Sequence, residues 1–158
     1  FKFDIHLNFV GGGASSALEE LKKYLQVNNI NDSITLKQYL NTSELVNEFE
    51  TNDIFLFASS CETFGITLLE AMGSKSPIAC SNRTGLPAIL KDAGVYFDPF
   101  NVLSIKNALY ELISNQSKRE ELGSKGYLYA QEYTWKKCSE ETFEFIKTII
   151  NNKNIKNV

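Results

Sequence analysis

Histidine is nearly missing from this 158-residue chain, and methionine, tryptophan, cysteine and proline are scarce: one His, one Met, one Trp, three Cys and three Pro. A single histidine, His6, offers no pair for a metal cluster and no ready proton relay. Cys61, Cys80 and Cys138 are odd in number and widely scattered, without a C-x-x-C spacing. They build neither a disulfide framework nor a zinc module, and they fit a reducing compartment. Excess basic charge is lacking too: 16 Lys and Arg stand against 19 Asp and Glu, a net charge of −3. That balance carries no electrostatic footprint for duplex nucleic acid, so no nucleic-acid partner is expected. Long apolar runs are absent, since charges interrupt each one before it could span a bilayer. The first ten residues lack the basic-then-apolar pattern of a signal peptide. What remains is 43% hydrophobic residues, 12% of the chain being aromatic. This suffices for the core of one domain.

The opening segment alternates apolar and polar, with Phe1, Phe3, Ile5, Leu7 and Phe9 on one face at period two, which reads as a strand. A chain that opens in such a pattern on a Phe is expected to be a piece of a longer protein. Gly11-Gly12-Gly13 ends the strand, and Ala14, Ala17, Leu18, Leu21, Tyr24 and Leu25 follow at helical spacing. Ile34 and Leu36 form a second short strand, reaching toward Tyr39. Thr42 or Ser43 can cap a helix with Leu45, Val46 and Phe49 as its buried stripe. The run Asp53 to Ala58 reads as a strand covered on both faces. A loop from Ser59 to Phe64 then leads to a helix over Gly65–Ser74. Pro77 to Cys80 is a further buried strand, Leu86–Leu90 a short helix and Val95–Phe97 a last strand. Three helices follow, over Val102–Ser114, Ser117–Tyr133 and Trp135–Ile150, and the Asn/Lys-rich tail from Asn151 is expected to fray. Strands alternating with helices imply right-handed βαβ crossovers and an α/β, doubly wound, Rossmann-like parallel sheet. In such sheets ligands bind at the carboxyl ends of the strands, here in the loops after Val10, Leu36, Phe57 and Cys80.

The richest of these loops is Cys61-Glu62-Thr63-Phe64-Gly65-Ile66-Thr67-Leu68-Leu69-Glu70. It follows a buried strand and opens a helix, so its backbone N–H groups face the ligand edge and suit a phosphate. Gly65 lets a ligand approach the main chain. Glu70, about one and a half turns into the helix, can reach polyhydroxyl groups such as a ribose. The bland alternative makes Glu62 a solvated loop acid and Glu70 a surface residue of an amphipathic helix.

E-T-F-G-I-T-L-L-E-A-M followed by S-P-I-A resembles the E-x7-E motif of retaining GT-B glycosyltransferases of group 1 (family 4). The segments I-H-L-N-F-V-G-G-G, D-I-F-L-F-A-S-S-C-E, G-L-P-A-I-L and A-G-V-Y-F-D-P agree with that family in order. The resemblance runs from Phe1 to about Ile150 and matches the C-terminal, nucleotide-sugar-binding half of such an enzyme. It implies a donor-binding domain over residues 1–150 with a frayed tail at 151–158. The N-terminal acceptor domain and the first βα unit would lie outside the sequence. It further implies that Glu62, the first motif carboxylate and the catalytic residue, contacts hydroxyls of the donor sugar, and that Phe64, Gly65, Ile66 and Thr67 form a main-chain platform for sugar and diphosphate. Glu70 would bind the ribose, while Gln38, Tyr39 and Leu40 would hold the base. Gly12, with Gly11 and Gly13, matches the glycine turn near the donor, although a purely structural turn is equally open. A G-x-G-x-x-G reading fails, because the run Gly11 to Ser16 lacks the third glycine.

Three features depart from the family. The paired Arg and Lys that neutralise the diphosphate would precede Phe1. Ala88 stands where many relatives carry Glu, and Lys75 stands where relatives end the motif helix with Gly. A non-Gly residue in a left-handed turn costs about 1 kcal/mol, unless the helix ends differently. Arg83, beside Asn82 and Thr84, could touch phosphate but reads better as a surface loop charge. The resemblance implies transfer of a hexose or N-acetylhexosamine from a nucleoside diphosphate sugar, UDP-linked, with no cofactor and no metal. The acceptor would be a lipid-linked glycan reached through the N-terminal domain, with the full-length protein peripheral to the inner face of the cytoplasmic membrane. The Asn/Lys/Ile-rich composition suggests an AT-rich gene of the kind found in bacterial O-antigen or capsule clusters. The rival readings are a sugar-nucleotide 2-epimerase of the same fold and a non-catalytic nucleotide-binding domain.

Overall fold

The computed structural model describes residues 3–155. The chain divides into two compact units, Phe1–Asn47 and Glu48–Val158.

In the first unit, strand β1 (Leu7–Val10) pairs in parallel with β2 (Ile34–Lys37), in the register Leu7↔Ile34 to Val10↔Lys37. Helix α1 (Ser15–Val27) connects them, as a parallel pair requires a crossover. The alternating opening forms only these four residues of strand, and its apolar face is not covered: Phe3, Ile5, Leu7 and Phe9 are 37–55% exposed. Phe1 lies outside the described residues. Leu25 of α1 is buried, whereas Tyr24 from the same stripe is exposed. His6 meets Thr35 across the two strands, Nε2 to Oγ1 at 2.8 Å, which gives it a structural partner.

Helix α2 (Thr42–Thr51) starts differently from the expectation. Neither Thr42 nor Ser43 caps it. Asn41 Oδ1 accepts the Glu44 N–H at 3.0 Å while Glu44 Oε2 accepts the Asn41 N–H at 2.8 Å. This reciprocal box satisfies two otherwise orphaned donors, which a lone hydroxyl cap cannot do.

The second unit holds a three-stranded parallel sheet in the order β3-β4-β5, formed by Phe55–Phe57, Ile78–Ser81 and Gly94–Phe97. The central strand β4 is buried at every position, as its unbroken apolar run predicts. β3 stands at an edge of this sheet, and its residues remain half-buried rather than covered on both faces. Helices α3 (Ile66–Gly73) and α4 (Leu86–Leu90) connect the strands. Helices α5 (Val102–Ile113), α6 (Gln116–Ala130) and α7 (Trp135–Ile155) follow. Ala79, Val95 and Phe97 of the sheet pack with Ala108, Leu112 and Leu122 of α5 and α6 as the core. Asn101 and Asn115 cap α5 and α6 through their side-chain oxygens. α7 continues through the Asn/Lys-rich stretch to Ile155, past the fraying point expected at Asn151, and 156–158 lie outside the described residues. No helix among the described residues is long and apolar enough to cross a membrane.

The end of α3 is set by Lys75 at φ +59°. The Lys75 N–H donates to Met72 O and the Ser76 N–H to Ala71 O, both at 3.1 Å, so the helix closes in a Schellman turn. Ser76, buried there, donates its hydroxyl to Phe49 O at 2.8 Å. Against this turn lies Gly123 of α6, where a Cβ would stand 2.3 Å from Lys75 O.

Candidate functional site

The carboxyl end of β3 opens into the loop 58–65, which turns into α3 at Gly65. Gly65 adopts φ +94°, and a Cβ on it would come to 3.0 Å from Leu86 Cδ2 and 4.0 Å from Phe57 Cε1. Conformation and close approach together favour glycine here. Leu86 begins α4, so the loop after β3 and the loop after β4 sit side by side at one sheet edge. No side chain caps α3. Its carbonyl at Gly65 takes the Leu68 N–H at 3.0 Å, and the N–H groups of Ile66 and Thr67 precede the first intrahelical bond. Such uncapped donors, with the helix dipole behind them, suit an anion.

Two carboxylates flank this turn. Glu62 is half-buried in the loop, and Glu70 is exposed on α3. Neither carboxylate forms a hydrogen bond or ion pair with another described residue. Ile66, 55% exposed, lies one helical repeat before Glu70, so both occupy the solvent face while Leu68, Ala71 and Met72 are buried beneath. Thr67 is exposed in the first turn. The structure thus places Glu62, Phe64, Gly65, Ile66, Thr67 and Glu70 around one loop-to-helix junction.

Gly12, Gln38, Tyr39 and Leu40 belong to the first unit. Gly12 faces Gln38 O, which a Cβ would meet at 4.0 Å. The glycine that the turn itself requires is Gly11, at φ +134°, whose N–H extends the ladder to Lys37 O at 2.9 Å. Tyr39 lies beyond β2 and is 85% exposed, and Leu40 is half-buried.

After β4, Arg83 pairs with Asp98 at 3.0 Å and its guanidinium lies over the Phe100 ring. The Phe100 N–H and Arg83 hold the Asp98 carboxyl below its usual range. Arg83 is thereby engaged within the protein, in line with its reading as a loop charge. Cys80 is buried, and desolvation pushes its thiol up to about 12, whereas Cys61 and Cys138 are exposed. Among the described residues no three metal-ligating side chains gather.

One contact at the site escapes a sequence reading. The Phe64 ring meets that of Tyr133 edge-on, with centroids 6.2 Å apart and planes at 64°. Nothing in local spacing links residues so distant along the chain.

A sequence profile described as "Glycosyl transferases group 1" matches residues 2–129. The chain is 34% identical over 95 residues to O-antigen chain mannosyltransferase B of Escherichia coli, covering 60% of this chain and 25% of that protein. It resembles the structure of sucrose-phosphate synthase from Thermosynechococcus elongatus with a TM-score of 0.82 at 19% identity, over 93% of this chain and 39% of the other. A second similar structure is the C-terminal domain of a group 1 glycosyl transferase family protein from Francisella tularensis. There the TM-score is 0.66 at 25% identity, over 75% of this chain and 62% of the other. The chain spans 25% to 35% of the length of the first relatives it matches.

Proposed function

This chain belongs to the group 1 glycosyl transferases, and on that premise we propose that it is the C-terminal, donor-binding half of a retaining GT-B enzyme. The donor is a nucleoside diphosphate sugar, UDP-linked, carrying a hexose or N-acetylhexosamine. The observation that carries this reading is the junction at Gly65: two carboxylates without a partner among the described residues, Glu62 and Glu70, flank an uncapped helix N-terminus at the carboxyl end of a parallel strand. Glu70 takes the ribose hydroxyls through charge-assisted hydrogen bonds. The Ile66 and Thr67 N–H groups receive the diphosphate, whose charge grows as the sugar bond breaks, and Glu62 positions the sugar. Gln38, Tyr39 and Leu40 hold the base, and Gly12 lets the donor approach the main chain. No step in this scheme calls on a metal. The similarity to an E. coli O-antigen chain mannosyltransferase supports a hexose donor and a role in bacterial surface-polysaccharide synthesis. The acceptor is then a lipid-linked glycan, met by a preceding domain at the cytoplasmic face of the membrane.

Calorimetry with UDP-, GDP- and ADP-sugars tests the reading. Glu70→Ala should weaken binding of the nucleoside diphosphate about tenfold or more, since hydrogen bonds to a charged group contribute about 1.5–3 kcal/mol. Glu62→Ala should remove chiefly the extra affinity contributed by the sugar. Equal affinities of wild type and Glu70→Ala, or no binding of any member of the panel, would overturn it.

A further inference from the structure

The loop that carries Glu62 has little internal bracing: its own side-chain hydrogen bond runs from Ser59 Oγ to Cys61 O at 3.3 Å. Gly65 fixes its end, but the stretch from Glu62 to Phe64 is exposed or half-buried and belongs to no helix or strand. Tyr133, by contrast, stands on a rigid joint. Its N–H donates to Ala130 O at 3.0 Å, closing the end of α6. The next residue, Thr134, starts α7, its Oγ1 accepting the Lys137 N–H at 3.1 Å and its carbonyl the Cys138 N–H at 2.9 Å. The preceding residue, Glu132, is tied to Lys91 at 3.0 Å. A half-buried ring anchored on both sides thus meets the 47%-exposed Phe64 ring edge-on.

We propose that Tyr133 is a positioning residue: its ring, braced by the α6–α7 joint, holds Phe64 and so fixes the turn that presents Glu62 and the first N–H groups of α3. The use made of that turn rests on the donor-binding reading above; the positioning itself does not. Edge-to-face packing needs the ring and not the phenol hydroxyl, so Tyr133→Phe should preserve the effect and Tyr133→Ala should lose it.

The test uses the 158-residue chain and two readouts. Hydrogen exchange without ligand should show the Leu68 and Leu69 amides, both bonded to Gly65 O at this turn, exchanging at least tenfold faster in Tyr133→Ala, with those of β3, β4 and β5 unchanged. Tyr133→Phe should match wild type. Phe64→Ala removes the same contact from the exposed side and should reproduce the effect even where Tyr133→Ala does not fold. In calorimetry, Tyr133→Ala should weaken UDP, whose diphosphate meets the Ile66 and Thr67 N–H groups, and weaken UDP-sugar further, so that the affinity ratio of UDP-sugar to UDP also falls, with rescue by Tyr133→Phe. Unchanged exchange at Leu68 and Leu69 in either Ala variant, or failure of Tyr133→Phe to rescue, would overturn the proposal. If wild type binds no nucleotide sugar, the donor reading fails while the exchange result still decides the role of Tyr133.

Discussion

Gly65 is under two constraints at once, a left-handed backbone and a neighbour's methyl group 3.0 Å from where a Cβ would stand. Either alone would be tolerable; Leu86 can shift, and a side chain in the left-handed region costs about 1–2 kcal/mol. Together they predict that Gly65→Ala loses about 1–3 kcal/mol of stability and weakens nucleotide binding beyond that loss. Denaturation midpoints and calorimetry on the same protein check both parts. A variant as stable as wild type would show that the turn re-forms around the methyl group. Thiol chemistry gives a second residue-scale prediction. Cys61 and Cys138 are exposed, while Cys80 is buried with its thiol pushed up to about 12. Mass spectrometry after native alkylation should therefore find two modified cysteines, with the third modified only on unfolding. At this scale the sequence read well where a motif was local. Gly65, Glu62 and Glu70 could be placed because they fall within one loop and one helix. Asn41 and Tyr133 could not: the first competes with two equally plausible caps beside it, and the second acts through a partner far along the chain.

The elements tell a similar story, since those with a strong period or a continuous apolar run emerged close to their expected limits. α3, β4, α4 and α5 are of this kind, each bounded by glycine, serine or asparagine punctuation. β1 was shorter than its alternation implied, because period two reports which face a residue shares and not whether anything covers that face. The seam between α3 and α6 was invisible beforehand, as it depends on Gly123 lying against the Lys75 carbonyl. Gly123→Ala drives a Cβ into backbone and should cost about 1–3 kcal/mol. Lys75 itself sits at φ +59° with its ammonium 4.9 Å from the centre of the Tyr127 ring. Lys75→Ala keeps the left-handed cost and loses the ring contact, so it should be destabilised. Lys75→Gly should exceed Lys75→Ala by about 1 kcal/mol in denaturation. A charged clamp holds α6 to the turn after α4: Asp92 accepts from Lys125 and from Tyr129, and both bonds hold its carboxyl below the usual value of 3.8. A depressed folded value makes the contribution present above 3.8 and lost as pH falls through the lower folded value. The stability gap between wild type and Asp92→Asn should accordingly close below about pH 4.

At the scale of the whole molecule, burial is unevenly shared between the two units. Within residues 3–47 only Leu25 is buried, and β1 has a single strand partner among the described residues. The second unit has a fully buried central strand, a core that joins sheet to α5 and α6, and caps on both of those helices. Local opening is governed by how much apolar surface must be exposed to break a segment's hydrogen bonds. The amides of β1, α1 and β2 should therefore exchange through low-energy openings, while those of β4 and β5 should exchange only through global unfolding. Native-state exchange against denaturant separates the two cases, because global openings share the denaturant slope of the equilibrium transition and local ones show almost none. The proposal that Gln38, Tyr39 and Leu40 hold the base predicts that saturating UDP-sugar slows exchange in β2. Unchanged exchange in β2 at saturating UDP-sugar would remove Gln38, Tyr39 and Leu40 from the proposed donor contacts, because a ligand held at the end of that strand must raise the cost of opening it.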